Sequence, residues 1–479
     1  MPSVIENTTI KEKCQIFTPN DIVVRMLDLA DYTEDIIGKK ILENSCGDGE
    51  ILTLIVNRYI QACINKNFTI NKIRKCLERD IYAFEIDCDL GKKCIARLNE
   101  ICGSYGILNV EWNLKCMDFL SAQIDYNFDY IIGNPPYIAY PDLPKETRTF
   151  LKENFKTCKK GKFDYSYAFI EKSYNLLKSN GKLVYIIPSN IFKNVFARNL
   201  RELLKKDIIS IIDFPQDKIF KNALVSPAII QVMKDSDTID FSYTKNIENE
   251  EHEKQLTKGI MREKWCFDET VTHDGIKLGD RFKVSSSIAT LYNDAFVLKN
   301  GKISDGFYCM DNFKIEVELI KKAASPKGKK YGNRKEYIIF PYYFDRNDTL
   351  QHYTESEMYS KFPNAMCYLN SHKEVLLKRT SDVSAKWFEY GRSQAIQNMH
   401  HKKILISSII SDCTKAYLLE EDEIPYSGLY IIPNGEYSLE DLLTEINSEK
   451  FKKYIDNVGV CVSGTSKRIT PGDIENFYY

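Results

Sequence analysis

The stretch FDYIIGNPPYIAY, residues 128–140, carries a largely apolar run, Phe128 to Ile132 with Asp129 within it, straight into Gly133 and then Asn134-Pro135-Pro136-Tyr137. A near-continuous apolar run of this kind suits a strand buried on both faces, as in a parallel sheet covered by helices. Six similar runs flank it, at 39–45, 81–87, 109–116, 182–188, 208–214 and 226–233. Between them, residues 21–30, 51–64 and 166–178 repeat apolar side chains at three- and four-residue spacing, the period of a helix face. Seven strands alternating with helices predict one doubly wound α/β domain. The regularity fades near residue 235. Residues 245–259 are charged and read as a linker, so the expected division is 1–240 and 241–479.

The chain has 479 residues, 43% apolar and 28% charged, with a net charge of −1, so contact with a polyanion needs a local basic patch. No run approaches the roughly 18 apolar residues of a membrane helix, and the N-terminus lacks a signal peptide's apolar core, which predicts a cytoplasmic protein with no membrane partner. None of the 14 cysteines forms a C-x-x-C pair, and His400-His401 has no neighbouring carboxylate in sequence, so no metal site is expected.

In an open α/β sheet ligands bind beyond the carboxyl ends of the strands. The first run ends in Glu43-Asn44-Ser45-Cys46-Gly47-Asp48-Gly49, where two glycines permit a tight turn and close ligand approach. The second ends in Glu85-Ile86-Asp87, an acid placed to accept ribose hydroxyls. Glu85 follows Gly49 by 36 positions, and the polar insert around Lys66–Arg79 accounts for that length. The third ends in Asp118-Phe119, an acceptor for an adenine amine beside a flanking ring. With no arginine for a pyrophosphate and no third glycine, an adenosine-bearing cofactor without phosphate fits better than a dinucleotide. At the fourth end, Asn134 offers its side-chain oxygen and Pro135 its carbonyl, while the two prolines supply no amide donors. Two fixed acceptors suit a planar NH₂ group that must become nucleophilic, and Tyr137 can stack on the ring that bears it.

Together these motifs resemble the γ class of DNA N6-adenine methyltransferases, in which the cofactor motifs come first and the target recognition domain last. The resemblance covers about the first 235 residues. It implies a Rossmann-like, seven-stranded S-adenosylmethionine-dependent methyltransferase domain followed by an α+β target recognition domain. QIFTP (15–19) resembles the N-terminal cofactor motif, which places Phe17, Thr18 and Pro19 near the methionine moiety. ILENSCGDGE (41–50) resembles the next motif, with Glu43, Asn44, Cys46, Gly47 and Gly49 around the cofactor and Asn44 where proline is common. Glu85 and Ile86 match the ribose-binding segment, Asp118 and Phe119 the adenine-binding pair, and Asn134, Pro135, Pro136 and Tyr137 the catalytic tetrapeptide. KIFKNALVSPAII (218–230) matches the motif whose phenylalanine, here Phe220, packs on the flipped adenine opposite the tyrosine.

Residues 321–335 hold seven basic and no acidic residues. Lys327, Lys329 and Lys330 are therefore candidates for phosphate contact. Segments 387–396 and 463–477 resemble recurring parts of recognition domains and add Arg392, Gln394, Lys467 and Arg468 as DNA-contact candidates. The implied activity is site-specific adenine-N6 methylation of double-stranded DNA by a monomer, within a restriction-modification or related bacterial defence or epigenetic system; a separate cognate endonuclease is a candidate partner that the sequence leaves open. The alternative is methylation of RNA or of a protein glutamine by the same N-P-P-Y chemistry. A bifunctional restriction enzyme is disfavoured because the motifs begin at residue 15, and a silent DNA-binding module because they are intact.

Overall fold

A computed structural model describes residues 18–215, 226–247, 250–267, 275–310, 312–332, 335–463 and 465–479. The chain divides into two units, Met1–Phe267 and Asp268–Tyr479. In the first, the strands are β1 (Ile41–Glu43), β2 (Ile81–Glu85), β3 (Asn113–Cys116), β4 (Phe128–Gly133), β5 (Leu177–Pro188), β6 (Ile208–Asp213), β7 (Pro227–Met233), β8 (Asp240–Ile247) and β9 (Glu250–Thr257). They make one sheet in the order β3-β2-β1-β4-β5-β7-β6-β8-β9. Its helices are α1 (Asn20–Leu29), α2 (Glu50–Asn65), α3 (Ile70–Asp80), α4 (Cys88–Ser104), α5 (Lys145–Asn154), α6 (Ser166–Asn175) and α7 (Arg198–Leu204).

Alternating side chains leave opposite faces of the sheet, so each apolar run feeds two cores. Leu42, Ile131, Leu183, Tyr185 and Ile187 pack on one side with residues of α5 and α6. Ile41, Tyr130, Ile132, Val184 and Ile186 pack on the other with α1 to α4. Each such apolar side chain contributes about 1.5–3 kcal/mol when fully buried, so the two faces of the sheet hold the first unit together. β1 pairs in parallel with both β2 and β4. The strand order therefore reverses between β1 and β4, and a ligand crevice opens there, beyond Glu43 and Gly133.

Three expectations need correction. The sheet is not wholly parallel, since β7 runs antiparallel to both β5 and β6. An apolar run reads the same in either direction, so composition could not reveal this. The polar insert around Lys66–Arg79, which lengthens the spacing from Gly49 to Glu85, holds most of helix α3, and that helix buries Ile73, Cys76 and Leu77 on one stripe. The expected linker at 245–259 lies largely in β8 and β9, which pair with each other while β8 joins β6. β9 is an edge strand exposed along nearly its whole length, so its charges discourage edge-to-edge pairing instead of marking a loop. The first unit consequently extends to Phe267, beyond the expected boundary at 240.

The second unit is α+β. Phe282–Ser286, Leu429–Pro433, Lys403–Ile406 and Ala416–Leu419 form an antiparallel sheet. Helices Pro363–Ser371, Leu439–Ile446 and Glu449–Val458 accompany it and smaller sheets. Among the described residues, no helix is long and apolar enough to cross a membrane.

Candidate active site

The ends of β1 to β4 line a cleft of about 1000 Å³, counting space open to solvent, which is ample for a nucleoside-sized ligand. Its floor is the turn after β1. Gly47 and Gly49 have φ of 54° and 96°. A Cβ at Gly49 would lie 2.7 Å from the Cys94 Sγ, so this position excludes any larger residue on two counts. The Gly47 amide donates to Glu85 Oε2 at 2.8 Å, and the Asp87 amide donates to Glu85 Oε1 at 2.9 Å. Glu85 thus ties the glycine turn to the end of β2 and keeps further lone pairs facing the cleft. Burial raises its pKa, and the two amide donors pull it back.

Glu43 and Asn44 are buried, and both border the cleft. Asn44 Nδ2 donates to Ser173 Oγ at 2.8 Å and to the Tyr185 hydroxyl at 2.5 Å, which locks the amide towards α6 and β5. Among the described residues, Glu43 Oε2 and Asn44 Oδ1 have no hydrogen-bond partner. Burial, chiefly, holds the Glu43 carboxyl well above its usual range. Two orphaned acceptors against a cleft cost about 1–3 kcal/mol each until a donor arrives. S-adenosylmethionine, with a cationic amine, ribose hydroxyls and an adenine amine, brings donors of the required kind, so the residues present fit it.

Asp118 and Phe119 follow β3 and also line the cleft. Phe119 is only 1% exposed and sits against Phe84 and Phe169, each with ring centroids 5.5 Å away. Lys172, on α6, donates to the carbonyls of Phe119, Leu120 and Ala122 at 2.6, 3.0 and 2.6 Å, and its ammonium lies 4.9 Å from the Phe119 ring centroid. All three N–H donors are spent on holding one loop. Sequence reading missed this lysine. Tyr165, Phe169 and Lys172 lie at i, i+4 and i+7, one face of a helix, and that spacing was the available signal. Tyr165 and Phe169 line the cleft as well.

Of the Asn-Pro-Pro-Tyr turn, Asn134 and Pro136 border the cleft, whereas Pro135, which is buried, and Tyr137 do not line it. Asn134 Nδ2 donates to Thr18 Oγ1 at 3.2 Å, which orients the amide with Oδ1 on the opposite side. The Ser45 hydroxyl donates to the Asn134 carbonyl at 3.0 Å. The Tyr137 hydroxyl, expected only as part of a stacking ring, contacts Asn134 Oδ1 and the Ile186 carbonyl. A hydroxyl has one proton, so it can yield the Asn134 oxygen to an incoming amine and keep Ile186. Burial holds this hydroxyl well above the usual tyrosine range, so it stays a neutral donor.

Of the sequence-derived residues, Thr18, Glu43, Asn44, Cys46, Gly47, Glu85, Ile86, Asp118, Phe119, Asn134 and Pro136 converge on this cleft. Pro19 is the N-cap of α1 and Gly49 that of α2. Phe17 and Phe220 lie outside the described residues.

The DNA-contact candidates are dispersed over the second unit. Lys327, Lys329 and Lys330 sit on a short helix, Pro326–Tyr331, not a loop. Lys327 and Lys330 are exposed, but Lys329 pairs with Glu423 at 2.6 Å. Arg392 pairs with Asp382 at 2.7 Å, and Gln394 is exposed beside it. Phe388 and Tyr390 of the same segment are core residues. Lys467 and Arg468 lie on strand Ser466–Arg468, with Lys467 Nζ 2.8 Å from Cys461 Sγ. His400 has a carboxylate partner that sequence distance concealed, Asp348 at 2.8 Å.

Residues 53–220 match the Eco57I restriction-modification methylase family. The Type II restriction enzyme and methyltransferase RM.Eco57I of Escherichia coli is 25% identical over 366 residues, covering 66% of this chain and 36% of that protein. The Type II methyltransferase M.BstVI of Geobacillus stearothermophilus is 22% identical over an alignment of 505 residues, covering 95% and 87%. Among solved structures, the Type IIL restriction-modification enzyme MmeI in complex with DNA has a TM-score of 0.60 at 14% identity, over 95% of this chain and 64% of that one, a likeness of fold.

Proposed function

We propose, from a chain whose residues 53–220 match the Eco57I restriction-modification methylase family, that this protein methylates the N6 of adenine in double-stranded DNA as part of a restriction-modification system. The observation that carries the reading is the amide of Asn134, fixed by Thr18 at the end of β4 and bordering the cleft of Glu43, Glu85 and Asp118. S-adenosylmethionine, when bound, supplies an electrophilic methyl group on a sulfonium. Asn134 Oδ1 and the Pro135 carbonyl accept the two protons of the target amine, which aims its lone pair at that methyl group. The amine proton becomes acidic only once nitrogen carries the new bond, so no strong base is needed. Glu85 and Asp118 orient the adenosine, and Glu43 meets the donor-bearing end. The base must leave the helix to reach a donor held in this cleft. In this reading the first unit is catalytic and the second recognises the target. Long-read sequencing of DNA from cells expressing the chain should show N6-methyladenine in one short motif. Unmodified adenine throughout would overturn the proposal.

Lys172 adds a pH-dependent expectation. Burial pulls its pKa down to about 8. Burial thus favours the neutral amine in the fold, and deprotonation does not itself oppose folding. What it removes is one of the three donors holding the loop that carries Asp118 and Phe119. Cofactor affinity, measured by calorimetry between about pH 7 and about pH 9.5, should fall as pH rises through the lysine's titration. Lys172→Met should bind roughly tenfold or more weakly, from lost charge-assisted hydrogen bonds, and lack that pH step. A wild-type affinity flat across the range would contradict the assignment.

A further inference from the structure

The first unit displays a basic surface joined directly to the catalytic turn. From Lys145 to Lys162 there are seven basic residues and two acidic ones, in a protein whose net charge is −1. The segment leaves the turn at Tyr140, three residues after Tyr137 and so at most about 10 Å along the chain. The Arg148 guanidinium lies 4.7 Å and the Lys152 ammonium 5.3 Å from the Tyr140 ring centroid. The segment returns beside its start. Phe163 meets Tyr140 edge-on at 5.1 Å, Asp164 bridges to Ala139, and the Tyr165 amide donates to the Ile138 carbonyl at 3.0 Å. The excursion is therefore pinned at both ends to the residues that follow Asn-Pro-Pro-Tyr.

Its tip is fixed too. Gly161 has φ of 79°, and a Cβ there would lie 2.2 Å from the Phe196 ring, so only glycine lets the lysine turn rest on that aromatic plate. Lys156, Lys159, Lys160 and Lys162 are all exposed, and none forms an ion pair among the described residues. The basic run of the second unit differs, because Lys322 pairs with Asp422 and Lys329 with Glu423. A solvated face usually intersperses both signs. Four unpaired lysines within seven residues, held on an ordered turn, repel one another until a polyanion neutralises them.

We infer that Lys156, Lys159, Lys160 and Lys162 bind the sugar-phosphate backbone of the duplex next to the base presented to Asn134, so that the catalytic unit carries its own DNA contact. The inference rests on the proposed DNA substrate. It places a sequence-independent anchor in the first unit, whereas the sequence-derived candidates all fall in the second.

The test uses the full chain and its triple variant K159E/K160E/K162E, with K159A/K160A/K162A as a second variant should charge reversal impair folding. Binding to two duplexes of unrelated sequence is measured between about 50 mM and about 200 mM salt, where each lost phosphate contact lowers the salt slope by about 0.9. The slope should drop by roughly two to three for both duplexes alike, with cofactor affinity by calorimetry unchanged. An unchanged slope in a folded variant would overturn the inference, and so would a drop confined to one duplex, which would indicate base reading. Methyl incorporation by the wild type is scored in parallel. A wild type that binds duplex through these lysines yet methylates no DNA would sink the proposed function and leave the phosphate contact standing.

Discussion

Asn134→Ala should lower methyl transfer by about 10²–10³-fold, the usual cost of removing one fixed polarising hydrogen bond from a reacting group. The substitution removes the acceptor that Thr18 orients and that Tyr137 already contacts. It leaves Glu43, Glu85 and Asp118 in place, so S-adenosylmethionine should bind nearly as before. Single-turnover transfer and calorimetry separate the two effects. Turnover within about threefold of wild type would remove Asn134 from the chemistry.

Glu85→Ala should have the reverse signature, a loss of cofactor affinity on the order of 10²–10³-fold. Truncation strands two amides, those of Gly47 and Asp87, that now donate to this carboxylate. Each stranded donor costs about 1–3 kcal/mol, and the acceptors proposed for the ribose are lost as well. Glu85→Gln should lose less, because its amide oxygen can still serve one of the two backbone donors. Calorimetry without DNA measures the loss directly. Equal affinity for wild type and Glu85→Ala would mean that Glu85 only shapes the turn, and shapes it dispensably.

The sequence revealed the first unit well because its signals are local. Seven apolar runs became the seven strands from β1 to β7, and the residues closing the first four reached the cleft together. Other features depend on partners far along the chain. Lys172 acts on carbonyls about 50 residues away, and the antiparallel sense of β7 is set by neighbours, not by its own composition. β8 and β9 were hidden because an exposed edge strand lacks the burial that gives a strand its apolar alternation. In the second unit, the segment from Trp387 to Ile396 looked like a DNA-facing surface, yet Phe388, Tyr390 and Ile396 belong to the core and only Arg392 to Gln394 are exposed in a row. Basic composition likewise could not show that Lys329 already has Glu423 beside it.

The most direct test of the central claim is the identity of the methylated atom. Purified full-length chain is incubated with duplex DNA and methyl-labelled S-adenosylmethionine, and the DNA is digested to nucleosides and resolved by mass spectrometry. The account predicts label in N6-methyladenine and in no other nucleoside, with initial incorporation about 10²–10³-fold slower for Asn134→Ala. Label in a methylated cytosine, or in RNA or protein with the DNA left unlabelled, would contradict it.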